Sequence, residues 1–289
     1  MMKLLSKFIF FFLFFTERCL QIFTKRSFFI YLTEFIQDKT YKKINIQNKK
    51  ITFFAPNYLI KWRVDTIFSK EPETIEWINN FKNNNNEIFW DIGANIGLYS
   101  IYNSIKNKKI STIAFEPSTS NLRVLSRNIS VNKLQKKIKI FTLPLSDKQN
   151  GFMTMKENVF REGGSMNSFG ANFDHEGKKY KSNMNYSLFG TNIFFLIKNK
   201  ILKIPQYIKI DVDGIEHLIL KGAGRYLREK KLKSISVEIN ENFSKQLDQI
   251  LKLMRDNNFK IRHKKHNIDL YNQSGIKFVN TYNYIFDKK

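Results

Sequence analysis

The sequence predicts an α/β protein: a mostly parallel sheet with helices on both faces, preceded by a smaller N-terminal appendage. Three observations carry this expectation. Residues 89–100 read FWDIGANIGLYS, which is a buried strand end, a loop of Gly93, Asn95 and Gly97 with little side-chain bulk, and the start of a helix. From Ile88 onward, short apolar runs alternate with stretches of helical periodicity, the pattern of parallel strands joined by crossover helices. The third observation is size: 289 residues, 42% of them hydrophobic, supply one large core or two small ones.

The first forty residues stand apart. FIFFFLFF at 8–15 follows Lys3 and Lys7, and a second apolar patch at 28–32 follows Lys25 and Arg26. The first run is too short to span a bilayer, which needs about 20 apolar residues. It resembles the apolar part of a secretory signal, but Thr16, Glu17 and Arg18 follow where a small-residue cleavage site would stand. Residues 1–40 are therefore read as a basic, aromatic helical segment. It either packs on the rest of the chain or makes peripheral contact with a membrane surface.

Residues 41–86 read as a hairpin and a helix. Ile44, Ile46, Ile51 and Phe53 alternate with polar neighbours about Asn48-Lys49-Lys50. Pro72 suits a first helical turn, where its missing N–H is not needed, and Glu71, Glu73 and Glu76 favour the positive end of the helix dipole. Ile75, Ile78 and Phe81 recur at helical spacing, and the Asn run at 83–86 breaks the helix and opens the next segment, 87–289.

In that segment strands are expected at 88–91, 111–115, 138–143, 207–211 and 234–239, and helices near 97–106, 119–132, 214–221 and 244–257. The tail, 259–286, with Ile268, Leu270, Tyr282, Tyr284 and Phe286, adds two antiparallel strands and brings the sheet to seven. Between the third and fourth strands lie 151–206, rich in Gly, Asn, Phe, Tyr and Met, with a short helix expected at 191–200. A long segment with little structure of its own is often a lid. This one is expected to cover the substrate; the alternative is a hairpin extension on the sheet edge.

The glycine loop also discriminates among cofactors. A dinucleotide fingerprint needs glycine where Asn95 stands, because the backbone there must approach a pyrophosphate. The spacing Asp91-x-Gly93-x-Asn95-x-Gly97 is instead similar to that of S-adenosylmethionine (SAM) methyltransferases. SAM has no phosphate; a carboxylate near its ammonium and sulfonium groups is useful, and Asp91 can supply it. Glu116, at the end of the next strand, is placed to hold ribose hydroxyls. Ser146 and Asp147, at the end of the third strand, either meet the adenine amine or merely form a turn.

At this point the chain resembles the FkbM family of SAM-dependent methyltransferases. The matching stretches are DIGANIGLYS at 91–100, FEPSTSNLRVLSRNISVNKL at 115–134, LSDKQNG at 145–151, KIDVDGIEHLILKGA at 209–223 and SVEIN at 236–240. The resemblance covers about 200 residues in unbroken motif order. It implies a Rossmann-like class I methyltransferase fold and methyl transfer to oxygen, on an acceptor that differs among relatives: a sugar, a glycan or a secondary metabolite.

The fourth strand ends in Asp211, followed by Val212-Asp213-Gly214-Ile215-Glu216-His217. Asp213 and Glu216 have capping-box spacing. Asp211 is the candidate catalytic carboxylate, with Lys209 two residues earlier as its ion-pair partner. With Glu238 and Asn240 from the fifth strand, Asp211 would make an oxygen-rich site suited to Mg2+. Without metal, Asp211 or His217 serves as general base. Methyltransferases that act on base amines often carry Asn/Asp-Pro-Pro-Tyr at this strand end; the Asp-Val-Asp-Gly found here argues against nucleic acid as substrate.

The formal charge of +24 is the one feature that favours a nucleic-acid-binding or nucleic-acid-modifying protein. The lysines are spread along the whole chain, however, and no basic stripe with interleaved aromatics is present. A single cysteine, Cys19, excludes an internal disulfide and suits a cytoplasmic setting.

Overall fold

The computed structural model describes residues 1–265 and 280–289, which leaves Ile268 and Leu270 outside the described residues. The chain divides into two compact units, Met1–Lys42 and Lys43–Lys289.

The first unit is a helical hairpin. Helix α1 (Met2–Thr24) ends at Lys25 in the left-handed conformation, and α2 (Phe29–Lys39) follows. Phe29 meets Phe10 and Phe14 of α1 edge-on, at 6.0 and 6.4 Å between ring centroids. Glu17 is buried between the helices; its Oε2 accepts the Phe28 N–H at 3.1 Å and its Oε1 accepts Gln21 Nε2 at 2.9 Å.

The next elements are strands β1 (Tyr41–Ile46) and β2 (Lys49–Phe54), which turn at Gln47 and Asn48, both at positive φ as a two-residue hairpin loop requires. The outer side of β2 is not left bare: Asn132 Oδ1 accepts the Thr52 N–H and Asn128 Oδ1 accepts the Phe54 N–H. Helix α3 (Tyr58–Asp65) was not expected from the sequence; Asn57 caps it by accepting the Ile60 N–H at 3.0 Å. Helix α4 (Pro72–Asn79) buries Trp77 against Phe81, Phe89 and Tyr207, with its indole N–H donated to Ser234 Oγ at 2.9 Å. From Lys43 on, the hairpin and both helices belong to the same compact unit as the large sheet.

That sheet and its helices follow in chain order. They are β3 (Ile88–Ile92), α5 (Leu98–Lys106), β4 (Ser111–Phe115), α6 (Thr119–Val131), β5 (Ile138–Phe141), β6 (Gly151–Glu157), β7 (Ser168–Phe169), β8 (Met184–Gly190), α7 (Ile193–Lys198), β9 (Tyr207–Ile210), α8 (Glu216–Lys221), β10 (Ser234–Asn240), α9 (Ser244–Asp256), β11 (Phe259–Lys265) and β12 (Thr281–Lys288). The seven-stranded order is β11-β12-β10-β9-β3-β4-β5. The run from β10 to β5 is parallel, and β12 is antiparallel to both of its neighbours. This mixed sheet flanked by helices resembles the core of class I SAM methyltransferases. From β3 the chain moves outward to β4 and β5, then returns to lay β9 on the other side of β3. That reversal opens a crevice at the carboxyl ends of β3 and β9.

The insertion has the expected short helix, α7, and before it strands that the sequence reading did not place. It is not a structureless lid but a three-stranded antiparallel sheet, β7-β6-β8, with full pairing from Gly151↔Gly190 to Glu157↔Met184.

Candidate active site

The loop after β3 sits in the crevice because its residues allow a close approach. Gly93 has φ +85°, and a Cβ there would lie 1.8 Å from the Asp211 carbonyl oxygen. Gly97 has φ +87°, and a Cβ there would meet Leu125 of α6 at 2.6 Å. A side chain at Gly93 would push the loop off the sheet, and one at Gly97 would be strained by its positive φ and would displace Leu125. Asn95, at φ 50°, holds three segments together: its N–H goes to Glu116 Oε2 at 2.7 Å and its Nδ2 to the Gly164 carbonyl of the insertion at 2.7 Å.

A cavity of about 600 Å³, its open mouth included, lies over this loop. Glu116, Asp211 and Asp213 line it, with Asn95, Asn167 and an apolar wall that includes Phe115, Leu143, Leu145 and Ile219. Glu116 is 4% exposed. Its oxygens take the N–H groups of Asn95 and Ser118, and burial pushes its pKa up to about 7 against those bonds. Asn95 Oδ1 and Asn167 Oδ1 are buried without a partner, so the wall carries unused acceptors. Among the described residues that line it there is no Lys or Arg. Spare acceptors, an apolar wall and no cation fit a ligand such as SAM, which carries a sulfonium, amine and hydroxyl donors and an adenine ring. They do not fit a pyrophosphate.

A second chamber of about 870 Å³, also counted to its open mouth, shares Gly93, Asn95, Ser165, Asp211 and Asp213 with the first. Its other walls are Leu59, Trp62 and Arg63 of α3, Lys70, and Glu238 of β10. Arg63 Nε donates to the Gly163 carbonyl at 2.8 Å and Asn57 Nδ2 to the Glu162 carbonyl at 3.0 Å, which ties α3 to the insertion. Asp213, strained at φ +62°, accepts the Met166 N–H at 2.5 Å and ties the end of β9 to the same insertion.

At the junction of the chambers lies a buried charge cluster. Lys209 is 1% exposed and its Nζ is 2.6 Å from Asp211 Oδ2. A buried ammonium without partners costs several kcal/mol. Here Asp211, Glu71 and Asp91 outweigh the effect of burial and hold the Lys209 pKa above its usual value. Burial pushes Asp211 up, but Lys209 and Lys70 overcome it and hold this carboxyl below the usual range. Glu71, salt-bridged to Lys70 at 2.5 Å, is lowered in the same way. Glu238 is raised well above the usual range by burial and by the Asp211 charge. Glu71, Asp211 and Glu238 each bring a carboxylate oxygen within 4.8 Å of the others, a spacing that can hold a cation.

Several sequence expectations change on this geometry. Glu71, which the sequence reading did not include, joins Asp211 and Glu238 in the carboxylate set; Asn240 lines a small cavity together with Glu238, Asp213, Glu216 and Gln246. His217 does not reach the junction. It is buried between Phe173 and Phe243, with ring centroids 5.9 and 5.7 Å away, and burial lowers its pKa to about 4. Asp91 lies below the loop, where Oδ2 accepts from Ser100 Oγ at 2.6 Å, and is not part of the cavity wall. Ser146 and Asp147 stand behind Leu143–Leu145; Asp147 pairs with Lys221 at 2.9 Å. Asp213 and Glu216 form no reciprocal capping box: Glu216 takes the N–H groups of Val212 and Gly214 and the Gln246 amide. Sequence reasoning missed Trp62, Arg63, Lys70 and Asn167. Only Glu71 leaves a trace, as an acid before Pro72 that reads as complementing the helix dipole.

No curated protein matches the chain. Among solved structures it is similar to precorrin-6y C5,15-methyltransferase from Geobacter metallireducens, with 12% identity, a TM-score of 0.43, and coverage of 76% of this chain and 87% of that one. It is also similar to TrmK from M. capricolum in complex with S-adenosyl-homocysteine, with 13% identity, a TM-score of 0.39, and coverage of 74% and 67%. The Methyltransferase FkbM domain matches residues 91–261, more than half of the 289. The chain therefore belongs to the FkbM family and is a SAM-dependent methyltransferase.

Proposed function

We propose that the enzyme methylates a hydroxyl oxygen of a sugar, a glycan or a hydroxylated secondary metabolite. The observation that carries this reading is the position of Asp211, in the wall of both chambers. In this reading SAM lies in the first chamber on Gly93, Asn95 and Glu116, and the acceptor lies in the second. The methyltransferase domain is taken as 87–289, with residues 151–206 over the acceptor and α3 as the facing wall. A cytoplasmic setting belongs to the same reading.

When bound, SAM supplies an electrophilic methyl group on its sulfonium. The chain's own residues handle the acceptor. Asp211, held ionised by Lys209, accepts the hydrogen bond of the hydroxyl, orients its oxygen and receives its proton. Glu238, whose carboxyl burial and the Asp211 charge raise well above the usual range, is in its protonated form a hydrogen-bond donor to a second acceptor oxygen. The face of Trp62 is a platform for a sugar ring.

The test uses an acceptor fraction from a deletion strain, recognised by mass spectrometry as compounds about one CH2 lighter than in the parent. Asp211→Asn should keep SAM binding within about threefold and lose about 10²–10⁴ in turnover on that fraction. Equal turnover would end the reading. A second reading is favoured by the three close carboxylates: a divalent cation such as Mg2+ on Glu71, Asp211 and Glu238. Turnover that EDTA abolishes and Mg2+ restores would select it.

A further inference from the structure

We infer that the α1–α2 hairpin is a docking surface for an anionic lipid bilayer, with one side of α1 lying among the headgroups. The inference is independent of the acceptor and concerns the first compact unit alone.

Helix α1 has 23 residues, about 34 Å at 1.5 Å per residue. Its two sides are used differently. Phe10, Phe14 and Glu17 face α2 and make the ring contacts and hydrogen bonds described above. On the other side, Leu4, Phe8, Phe11, Phe15 and Ile22 recur at spacings of four, three, four and seven, one line along the helix. These five side chains are 64% to 76% exposed. Phe12 and Phe23 widen the arc. So large a contiguous aromatic surface is not a chance of composition on a soluble unit.

The occupant follows from charge. Residues 1–27 hold five basic groups (Lys3, Lys7, Arg18, Lys25 and Arg26) and one acid, Glu17, which is consumed inside the hairpin. At 100° per residue Lys7 and Arg18 fall at one edge of the apolar arc, where a long basic side chain reaches headgroup phosphates while its stem stays apolar. A second copy of this chain would bring the same positive charge to the contact and be repelled. A nucleic acid would leave the phenylalanines in water. Among the described residues no helix is long and apolar enough to cross a membrane, so the geometry is that of a helix lying in the interface.

Co-sedimentation of the full chain with vesicles tests this. Vesicles with about one-third phosphatidylglycerol should pellet the protein, purely phosphatidylcholine vesicles should pellet at least about fivefold less, and high salt should release it. The triple variant Phe8→Ser, Phe11→Ser, Phe15→Ser should partition about tenfold less. Its exposed positions leave the unit Lys43–Lys289 untouched, which an unchanged melting curve and unchanged SAM binding would verify. Lys3→Glu, Lys7→Glu, Arg18→Glu should lose the preference for anionic lipid. No pelleting of the parent chain, or equal pelleting of the triple-serine variant, overturns the inference. So does a dimer in sedimentation velocity that the serine variant dissociates while vesicles bind neither form.

Discussion

The two chambers share Asp211 and Asp213 but are made of different material. The wall around Glu116 joins the ends of β3, β4 and β9 to the insertion through Met155 and Gly164–Phe169, carries acceptors and apolar side chains, and has no cation among its described residues. The wall around Trp62 joins α3, Lys70, the end of β9 and Glu238, and mixes both signs of charge. The first is centred on the glycine loop and Glu116, which short motifs encode, although the insertion completes it. The second exists only once residues from 59 to 238 have been brought together. A ligand common to a whole family can be served by the first kind of wall. A ligand that differs among relatives needs the second kind, whose parts vary one by one.

Substitutions can break this comparison. The largest effect is expected from Glu116→Ala, which should weaken SAM binding about 100-fold in calorimetry by removing a buried charged acceptor. Acceptor KM measured at saturating SAM should stay within about twofold. Trp62→Ala should do the reverse, raising acceptor KM about tenfold through lost ring stacking, with SAM affinity unchanged. If both substitutions moved both ligands equally, the division into two chambers would fail.

Acid supplies a finer test. The Glu116 carboxyl is raised to about 7, so its ionised form is complete above that pH and is lost as pH falls through it. SAM affinity should therefore fall about fivefold between pH 7 and pH 6, and Glu116→Gln should flatten the profile. The smallest effect is expected at His217, enclosed by Phe173 and Phe243. His217→Phe should leave turnover within about twofold across neutral pH, since a group already neutral there has no proton to exchange.

Much of the fold was legible because its signals are local. Outside 151–190, the strands and helices from Ile88 to Asp256 lie within about two residues of their expected places, and Glu116 lines the cavity where the glycine loop leads. What was illegible depends on distance. His217 looks catalytic three residues after an aspartate-glycine turn; only the packing of Phe173 and Phe243 reveals it as part of an apolar cluster. Glu71 reads as a helix-start acid until β9 sets Lys209 beside it. Helix α3 has weak periodicity and is held by Asn57 and by Arg63 on the insertion, contacts about 100 residues apart in sequence. The strands of the insertion were not assigned because they alternate weakly, with Gly and Asn between them.

The antiparallel strand β12 has a consequence for where the folding unit ends. It lies between β10 and β11, although in sequence it comes after both and beyond the region that matches the family, 91–261. A fragment trimmed to that region would lose β12 and most of β11 and leave β10 as an edge strand. The bare flank of β10, rich in Ile and Val, would then be free to recruit strands from other molecules. The same trimming would discard Glu71 and leave the buried Lys209 short of a counter-charge. The stretch that identifies the family is thus smaller than the stretch that folds, and a cut at its borders favours aggregation over a minimal enzyme.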